Sequence, residues 1–160
     1  MNTKLFTKNA LTCLLMVILS GAAFADGPSN PEWTGNGDGT SWSDANNWLD
    51  GVIPGPADEV YIYGDHSIVI DENVSLSSIY IYDNVSLTVE STGALALTEG
   101  DGLSLYDNAS FTANGDVGIN SGDDGIYIIG NSSVTINSGA NVVIIYADED
   151  GIDMEDYGML

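Results

Sequence analysis

The stretch IYIYDNVSLTV (residues 79–89) alternates aliphatic residues with tyrosine or hydroxyl residues on both sides of an Asp-Asn pair. Alternation with a period of two indicates β-strands, and an Asp-Asn pair between them indicates a turn. The same pattern recurs as VYIYGDHSIVI from Val60, LSLYDNASFTA from Leu103 and IYIIGNSSVTI from Ile126. The stretch is therefore one unit of a repeat and not an isolated hairpin.

Each repeat unit has a corner at which Asp or Asn comes three positions after the second aliphatic residue. These corners lie at Asp65, Asn84, Asn108 and Asn131, so the spacings are 84 − 65 = 19, 108 − 84 = 24 and 131 − 108 = 23 residues. A third apolar segment, such as ALAL at 94–97, lies between successive corners. Three short strands in about 23 residues are typical of a parallel β-helix. We predict an all-β, right-handed parallel β-helix, or solenoid, of about four coils.

Alternation also predicts which side chains point into the solenoid, because successive side chains of a strand lie on opposite faces. The aliphatic residues form three interior columns: Val60, Ile79, Leu103, Ile126 and Ile152; Ile62, Ile81, Leu105, Ile128 and Met154; and Ile68, Leu87, Phe111 and Val134. The tyrosines are then outward, with Tyr61, Tyr80 and Tyr127 in one column and Tyr63, Tyr82 and Tyr106 in the next. We expect the corner asparagines to take a left-handed backbone conformation and to stack their amides.

The chain divides into three segments by composition. Residues 1–25 have two lysines, an apolar run and an Ala23-Phe24-Ala25 ending, which are typical of a secretory signal peptide, and they contain the chain's one cysteine. Residues 26–59 lack the repeat and are predicted to be an N-terminal cap, and residues 60–160 are predicted to be the coils. Since no polar cap follows the last coil, we expect either truncation at the C-terminus or end-to-end self-association. The predicted location is secreted, that is extracellular, cell-surface or periplasmic, without membrane insertion after signal removal.

The charge balance excludes several classes of partner. The chain has 24 acidic residues and two basic ones, and both lysines lie in residues 1–25, so residues 26–160 carry −24 with His66 neutral. Such a field repels nucleic acid and anionic membranes, which leaves cations, glycans and basic surface proteins as partners. Enzymes on this fold commonly use Arg or Lys, which residues 26–160 lack, and no pair of carboxylates stands out for glycoside hydrolysis. The sequence therefore predicts a protein that is not an enzyme and requires no cofactor.

The N-terminal segment carries a family resemblance. WTGNGDGTSWSDANNWLDGVIPGPADEVYI (residues 33–62) has Trp33, the GNGDG turn at 35–39, Trp42-Ser43, Asn47-Trp48, Pro54 and Asp58. In these residues it resembles the Trp- and Gly-rich module that opens secreted bacterial parallel β-helix proteins of the autotransporter-passenger and adhesin kind. The resemblance implies a surface-exposed, mostly structural scaffold. We expect the chain to depart from that family in having no C-terminal membrane barrel or sorting tail.

Three sets of residues are candidate ligand sites. The tryptophans Trp33, Trp42 and Trp48 either bind sugar rings or seal the apolar core. The six outward tyrosines either bind glycans or proteins or stack from coil to coil to stabilise the sheet. Acidic turns recur before the first strand of a coil, and stacking would bring Asp101, Asp124 and Asp150 close enough for Ca²⁺ to relieve their repulsion, although solvated acidic loops would look the same in sequence.

The sequence thus favours a secreted or cell-surface, adhesin-like structural β-helix, with calcium at its acidic turns as a candidate addition. The alternative is a carbohydrate-binding module that uses the tyrosines or tryptophans. A glycan-degrading β-helix enzyme and an ice-binding solenoid are weaker alternatives. The second of these rests on outward Ser and Thr pairs such as Ser86/Thr88 and Ser110/Thr112.

Overall fold

A computed structural model describes residues 31–155, so the predicted signal peptide and residues 156–160 lie outside the described part. Two short 3₁₀ helices, Ala45–Asn47 and Leu49–Gly51, precede the strands. The strands are β1 (Glu59–Ile62), β2 (Ser67–Ile70), β3 (Asn73–Leu76), β4 (Ser78–Ile81), β5 (Ser86–Val89), β6 (Ala94–Leu97), β7 (Leu103–Leu105), β8 (Ser110–Ala113), β9 (Asp116–Asn120), β10 (Ile126–Ile129), β11 (Ser133–Ile136), β12 (Asn141–Tyr146) and β13 (Ile152–Glu155). Among residues 31–155, neither helix is long and apolar enough to cross a membrane.

The strands form three parallel sheets in which every third strand along the chain is a neighbour. The first sheet has the order β1-β4-β7-β10-β13, the second β2-β5-β8-β11 and the third β3-β6-β9-β12. All strand pairs are parallel. Each coil is made of one strand from each sheet, so residues 59–155 form four complete coils and the first strand of a fifth. The predicted all-β parallel solenoid of about four coils is confirmed.

The predicted interior columns are confirmed by the strand register. In the first column each residue pairs with the next, in the order Val60, Ile79, Leu103, Ile126 and Ile152. The columns that begin at Ile62 and Ile68 align in the same way. The members from the first three coils are 0 to 1% exposed and belong to one hydrophobic core. In the last strand, Ile152 and Met154 are 55% and 71% exposed because no described residue lies over them. Stacking between coils therefore buries the core, as expected for a solenoid.

The prediction for the backbone at the first corner is wrong by one position. The left-handed residues are Gly64, Asp83, Asp107 and Gly130, with φ of 104°, 56°, 63° and 69°, and each directly precedes the predicted residue. Glycine lacks a Cβ and aspartate tolerates this region, so both residue types fit there. The following residue instead uses its backbone N–H to join the coils. Asn108, for example, donates to the carbonyl oxygen of Asp83 at 3.1 Å.

Amide stacking is better formed at the second corner, after the strands of the second sheet. Asn137 donates through Nδ2 to Oδ1 of Asn114 at 2.7 Å, and Asn114 donates to Oε2 of Glu90 at 3.4 Å. At the first corner, the corresponding distance from Asn131 Nδ2 to Asn108 Oδ1 is 3.5 Å. The ladder of polar side chains that crosses successive coils thus lies mainly at a corner that the sequence pattern did not single out.

The Trp-rich segment lies against the first coil. Glu32 forms a parallel bridge with Tyr61 of β1, and Ser41 forms one with Val69 of β2. Trp33, Trp42 and Trp48 are 6%, 0% and 2% exposed and belong to the same hydrophobic core as the strands. The segment therefore shares backbone pairing and apolar packing with the solenoid.

One asparagine holds the GNGDG turn of this segment together. Asn47 is fully buried, and its Oδ1 accepts from the backbone N–H groups of Gly37 and Gly39 at 2.9 and 3.0 Å. Its Nδ2 donates to Oδ1 of Asp38 and to the carbonyl oxygen of Ser41, both at 2.9 Å. All the hydrogen-bonding capacity of a side-chain amide is used inside the protein, which is what burial of a polar group requires.

Candidate functional site on the tyrosine face

The outer side of the first sheet is the candidate site, and we call it the tyrosine face. It comprises the outward residues of β1, β4, β7 and β10 and those that directly follow β1, β4 and β7: Tyr61, Tyr63, Tyr80, Tyr82, Ser104, Tyr106, Tyr127 and Ile129. These side chains are outward because the alternate residues of the same strands enter the core. The register pairs Tyr61 with Tyr80 and Tyr80 with Ser104, and Ser104 with Tyr127. Ser104 therefore separates Tyr127 from the other members of its predicted column.

Most of the rings on this face stack on each other. The ring centroids of Tyr61 and Tyr80 are 4.4 Å apart with planes at 4°. Tyr63 stacks on Tyr82, and Tyr82 on Tyr106, each at 4.5 Å with planes at 16° and 8°. These distances are close to the spacing of about 4.8 Å between strands in a sheet, so register alone brings the rings together. Both faces of Tyr82, and one face of each other stacked ring, are consequently occupied by neighbouring rings.

The stack ends at Tyr106. Leu105 pairs with Ile128, so the residue of the next coil that lies opposite Tyr106 is Ile129. An aromatic residue at that position would have continued the stack. Tyr127 lies two residues earlier on β10, with its ring 5.8 Å from that of Tyr106 and turned by 60°. Its hydroxyl donates to Oε2 of Glu155 at 3.0 Å.

A recess of about 330 Å³ opens where the stack ends. Its lining comprises Tyr106, Asp107, Tyr127, Ile129 and Gly130. Ile129 is 7% exposed, whereas Asp107 and Gly130 at the corner are open to solvent. Sequence reasoning missed this recess. Its signal was present in the alignment of the repeats, because LSLY has serine where the other units have tyrosine and IYII ends in isoleucine instead of tyrosine.

Exposure differs strongly among the tyrosines. Tyr63 is 56% exposed, whereas Tyr80 is only 7% exposed, and its hydroxyl donates to Oδ2 of Asp101 at 2.7 Å. Burial, with the nearby Asp101 carboxylate, raises the pKa of Tyr80 above its ordinary value. Burial also raises the pKa of Tyr82 and that of Tyr106. The face is thus an ordered aromatic layer and not a loose set of exposed side chains.

The acidic turns flank this face, and their carboxylates are partly engaged with the protein. Asp101 accepts from Tyr80, and Oδ1 of Asp124 accepts the backbone N–H of Asp150 at 3.0 Å. The pKa of Asp123 is raised by burial and by the neighbouring carboxylates, of which Asp124 has the largest effect. Within residues 31–155, no group of three or more His, Cys, Asp or Glu side chains could hold a metal ion. Calcium at these turns stays a prediction.

The three tryptophans lie in the core and not on the surface. Trp42 and Trp48 pack edge to face with centroids 4.7 Å apart, and Trp33 packs on Trp48 at 5.0 Å. Nε1 of Trp48 donates to the carbonyl oxygen of Trp42 at 2.8 Å. The structure therefore does not bring these tryptophans together with the outward tyrosines, and their indoles present no open face to a sugar ring.

The hydroxyl pairs lie on the outer side of the second sheet. Ser67, Ser86, Ser110 and Ser133 are in register, as are Val69, Thr88, Thr112 and Thr135. This surface is regular, and it lies on a different sheet from the tyrosine face.

In comparisons with known proteins, no family model, no curated protein and no solved structure matches this chain.

Proposed function

We propose that this protein is a secreted or cell-surface, adhesin-like structural module that acts without catalysis. The observation that carries the proposal is the stacking of outward tyrosines from coil to coil, with centroids 4.4 to 4.5 Å apart. Such contacts add to the stability of a sheet beyond the burial of its apolar side. A solenoid with stabilising contacts on its outer surface as well as in its core is suited to act as a rigid spacer.

The charge of the chain supports an extracellular role. A surface with 24 carboxylates and no lysine or arginine after residue 25 keeps the molecule away from anionic surfaces and away from other copies of itself. Salt or divalent cations in an external medium would screen that repulsion. Calcium at the acidic turns belongs to this proposal as an addition that the structural role does not require.

The structural role of the stack is tested by removing its middle ring. Tyr82 contacts two rings, Tyr63 and Tyr106, so Tyr82→Ala removes two aromatic contacts that are each worth about 0.5–1.5 kcal/mol. Tyr63→Ala is the matched control because the Tyr63 ring lies at the end of the stack, where it stacks on Tyr82, and is half exposed. We expect Tyr82→Ala to lower the free energy of unfolding by about 2 kcal/mol and Tyr63→Ala by about half of that. Equal and negligible losses in both variants would contradict a stabilising role for the stack.

The location is tested separately. The full chain is expressed in a bacterial host, the cells are fractionated, and intact cells are treated with protease. We expect the chain to lose its first 25 residues and to appear outside the cytoplasmic membrane. An uncleaved chain found only in the cytoplasm would contradict the secreted role.

A further inference from the structure

The tyrosine stack ends at Tyr106, and this ring borders the recess. Tyr106 stacks on Tyr82 on one side, and on the other side it lines the recess with Ile129 as a nearly buried neighbour. Tyr127 meets Tyr106 with its ring turned by 60°, so it borders the recess and does not extend the stack. The recess therefore opens where the next coil has Ile129, whose side chain is smaller than the ring that would have continued a stack with a repeat of 4.5 Å.

We propose that this recess binds one pyranose ring of a neutral or cationic saccharide, which packs on the part of the Tyr106 ring that lines the recess. A pyranose has a flat face of C–H groups, which suits an aromatic surface, and a rim of hydroxyl groups, which requires polar partners. The recess supplies both kinds of group: the rings of Tyr106 and Tyr127 and the side chain of Ile129 are apolar, and the carboxylate of the exposed Asp107 is polar. Its volume of about 330 Å³ is at the lower end of the range for ligand sites, which matches a single sugar ring.

The negative charge around the recess limits which classes of sugar it can bind. The Asp107 carboxylate can accept hydrogen bonds from hydroxyl or ammonium groups, and a second carboxylate, that of Glu155, accepts from the hydroxyl of Tyr127, which lines the recess. Residues 26–160 carry no lysine or arginine that would neutralise a uronic acid or a sulfated sugar. Anionic saccharides are therefore repelled, whereas a neutral glucoside fits and an amino sugar gains from the field.

This site does not depend on the structural role of the solenoid. A rigid spacer works with the recess empty, and sugar binding would occur whether or not the stack contributes to stability. The inference assigns a ligand to one place on the tyrosine face, in contrast to binding along the whole row of tyrosines.

Binding is measured by saturation-transfer NMR and by titration with the purified full chain. The probes are methyl β-D-glucopyranoside, glucosamine and glucuronate, each up to about 10 mM because single-ring sites bind weakly. We expect saturation transfer to the C–H protons of the glucoside and of glucosamine, and none to glucuronate.

Three variants locate the site. Tyr106→Ala removes the stacking face and is expected to weaken binding about tenfold. Ile129→Tyr places a ring where the stack ended, fills the recess and is expected to abolish binding while leaving the melting temperature equal or higher. Because Ile129→Tyr adds a contact and does not remove one, it keeps the test valid if Tyr106→Ala fails to fold. Tyr63→Ala alters the opposite end of the same stack and is expected to bind as the unchanged chain does.

Several results would overturn the proposal. One is absence of saturation transfer to both the glucoside and glucosamine at the highest concentration. Another is unchanged binding in folded Ile129→Tyr, which would place the sugar elsewhere. A third is equal binding of glucuronate and the glucoside, and a fourth is binding of an arginine-rich peptide at the recess without binding of either sugar.

Discussion

The most direct test of the N-terminal segment is to remove the side-chain amide of Asn47. Asn47→Ala deletes four hydrogen bonds, two accepted from the N–H groups of Gly37 and Gly39 and two donated to Asp38 and Ser41. A hydrogen bond contributes about 1 kcal/mol net, and an unsatisfied buried group costs more. Because the four partners lie near the surface, water replaces part of the loss. We expect the free energy of unfolding to fall by about 3–4 kcal/mol, which is a large part of the total of about 5–15 kcal/mol for a domain.

The assay uses the distribution of tryptophan. All three tryptophans lie between residues 33 and 48, so their fluorescence reports the segment that Asn47 organises. Circular dichroism reports the strands of the coils. Urea unfolding followed by both signals distinguishes local opening of the N-terminal segment, in which fluorescence changes first, from cooperative unfolding, in which the two transitions coincide.

Asn46 provides the matched control. It is the adjacent asparagine, it is exposed, and its side chain donates to Oδ1 of Asp44 at 2.8 Å. We expect Asn46→Ala to cost less than about 1 kcal/mol. If Asn47→Ala is no more destabilising than Asn46→Ala, the reasoning that buried amide hydrogen bonds hold this segment is wrong.

Three further predictions concern pH, the core and cations. Burial raises the pKa of Tyr80 above the ordinary value of about 10, so the folded state binds this proton more tightly than the unfolded state does. The stabilisation that follows is fully present below pH 10, and it is lost as the pH rises above 10 toward the pKa of the folded state. Residues 26–160 have no lysine, arginine or cysteine, so an alkaline unfolding transition followed by tyrosinate absorbance reports the tyrosines. Tyr80→Phe should move this transition to higher pH, and unfolding that is already complete below pH 10 would contradict the reasoning. Phe111→Ala should lower the free energy of unfolding in urea by about 3–5 kcal/mol because the side chain is 1% exposed. Thr112→Ala, on the outward side of the same strand, should lower it by less than about 1 kcal/mol. Similar losses in the two variants would contradict the assigned faces. Millimolar CaCl₂ should raise the melting temperature more than NaCl of equal ionic strength if the acidic turns bind calcium, and an equal effect of both salts would remove the calcium prediction.

Much of the solenoid was predictable from residue spacing. The inward positions of Ile79, Ile81 and Leu87 follow from a period of two, and their recurrence at corresponding places in each unit predicts stacking. The structure pairs these residues as expected. The reason is that each coil can bury its aliphatic side only against the neighbouring coils, so the hydrophobic pattern strongly limits the register.

Backbone conformation at the corners was less predictable. The pattern drew attention to Asn84 and Asn108, but the left-handed residues are Asp83 and Asp107 directly before them. Both residue types tolerate this conformation, so composition does not distinguish two adjacent positions. The choice depends on which backbone N–H reaches the preceding coil, and Asn108 is the residue that makes this bond.

The sequence by itself determined the acidic charge, the repeat and the side of each strand that enters the core, because these depend on composition and on alternation over a few residues. The signal peptide stays a prediction from the sequence. Only the tertiary structure decided how the outward side chains meet. Neighbours in each sheet are 19 to 26 residues apart in the chain, and their contacts depend on the register and on the intervening turns. That register stacks Tyr82 between two rings, buries Tyr80 and leaves Ile129 beside Tyr106, where the open recess lies.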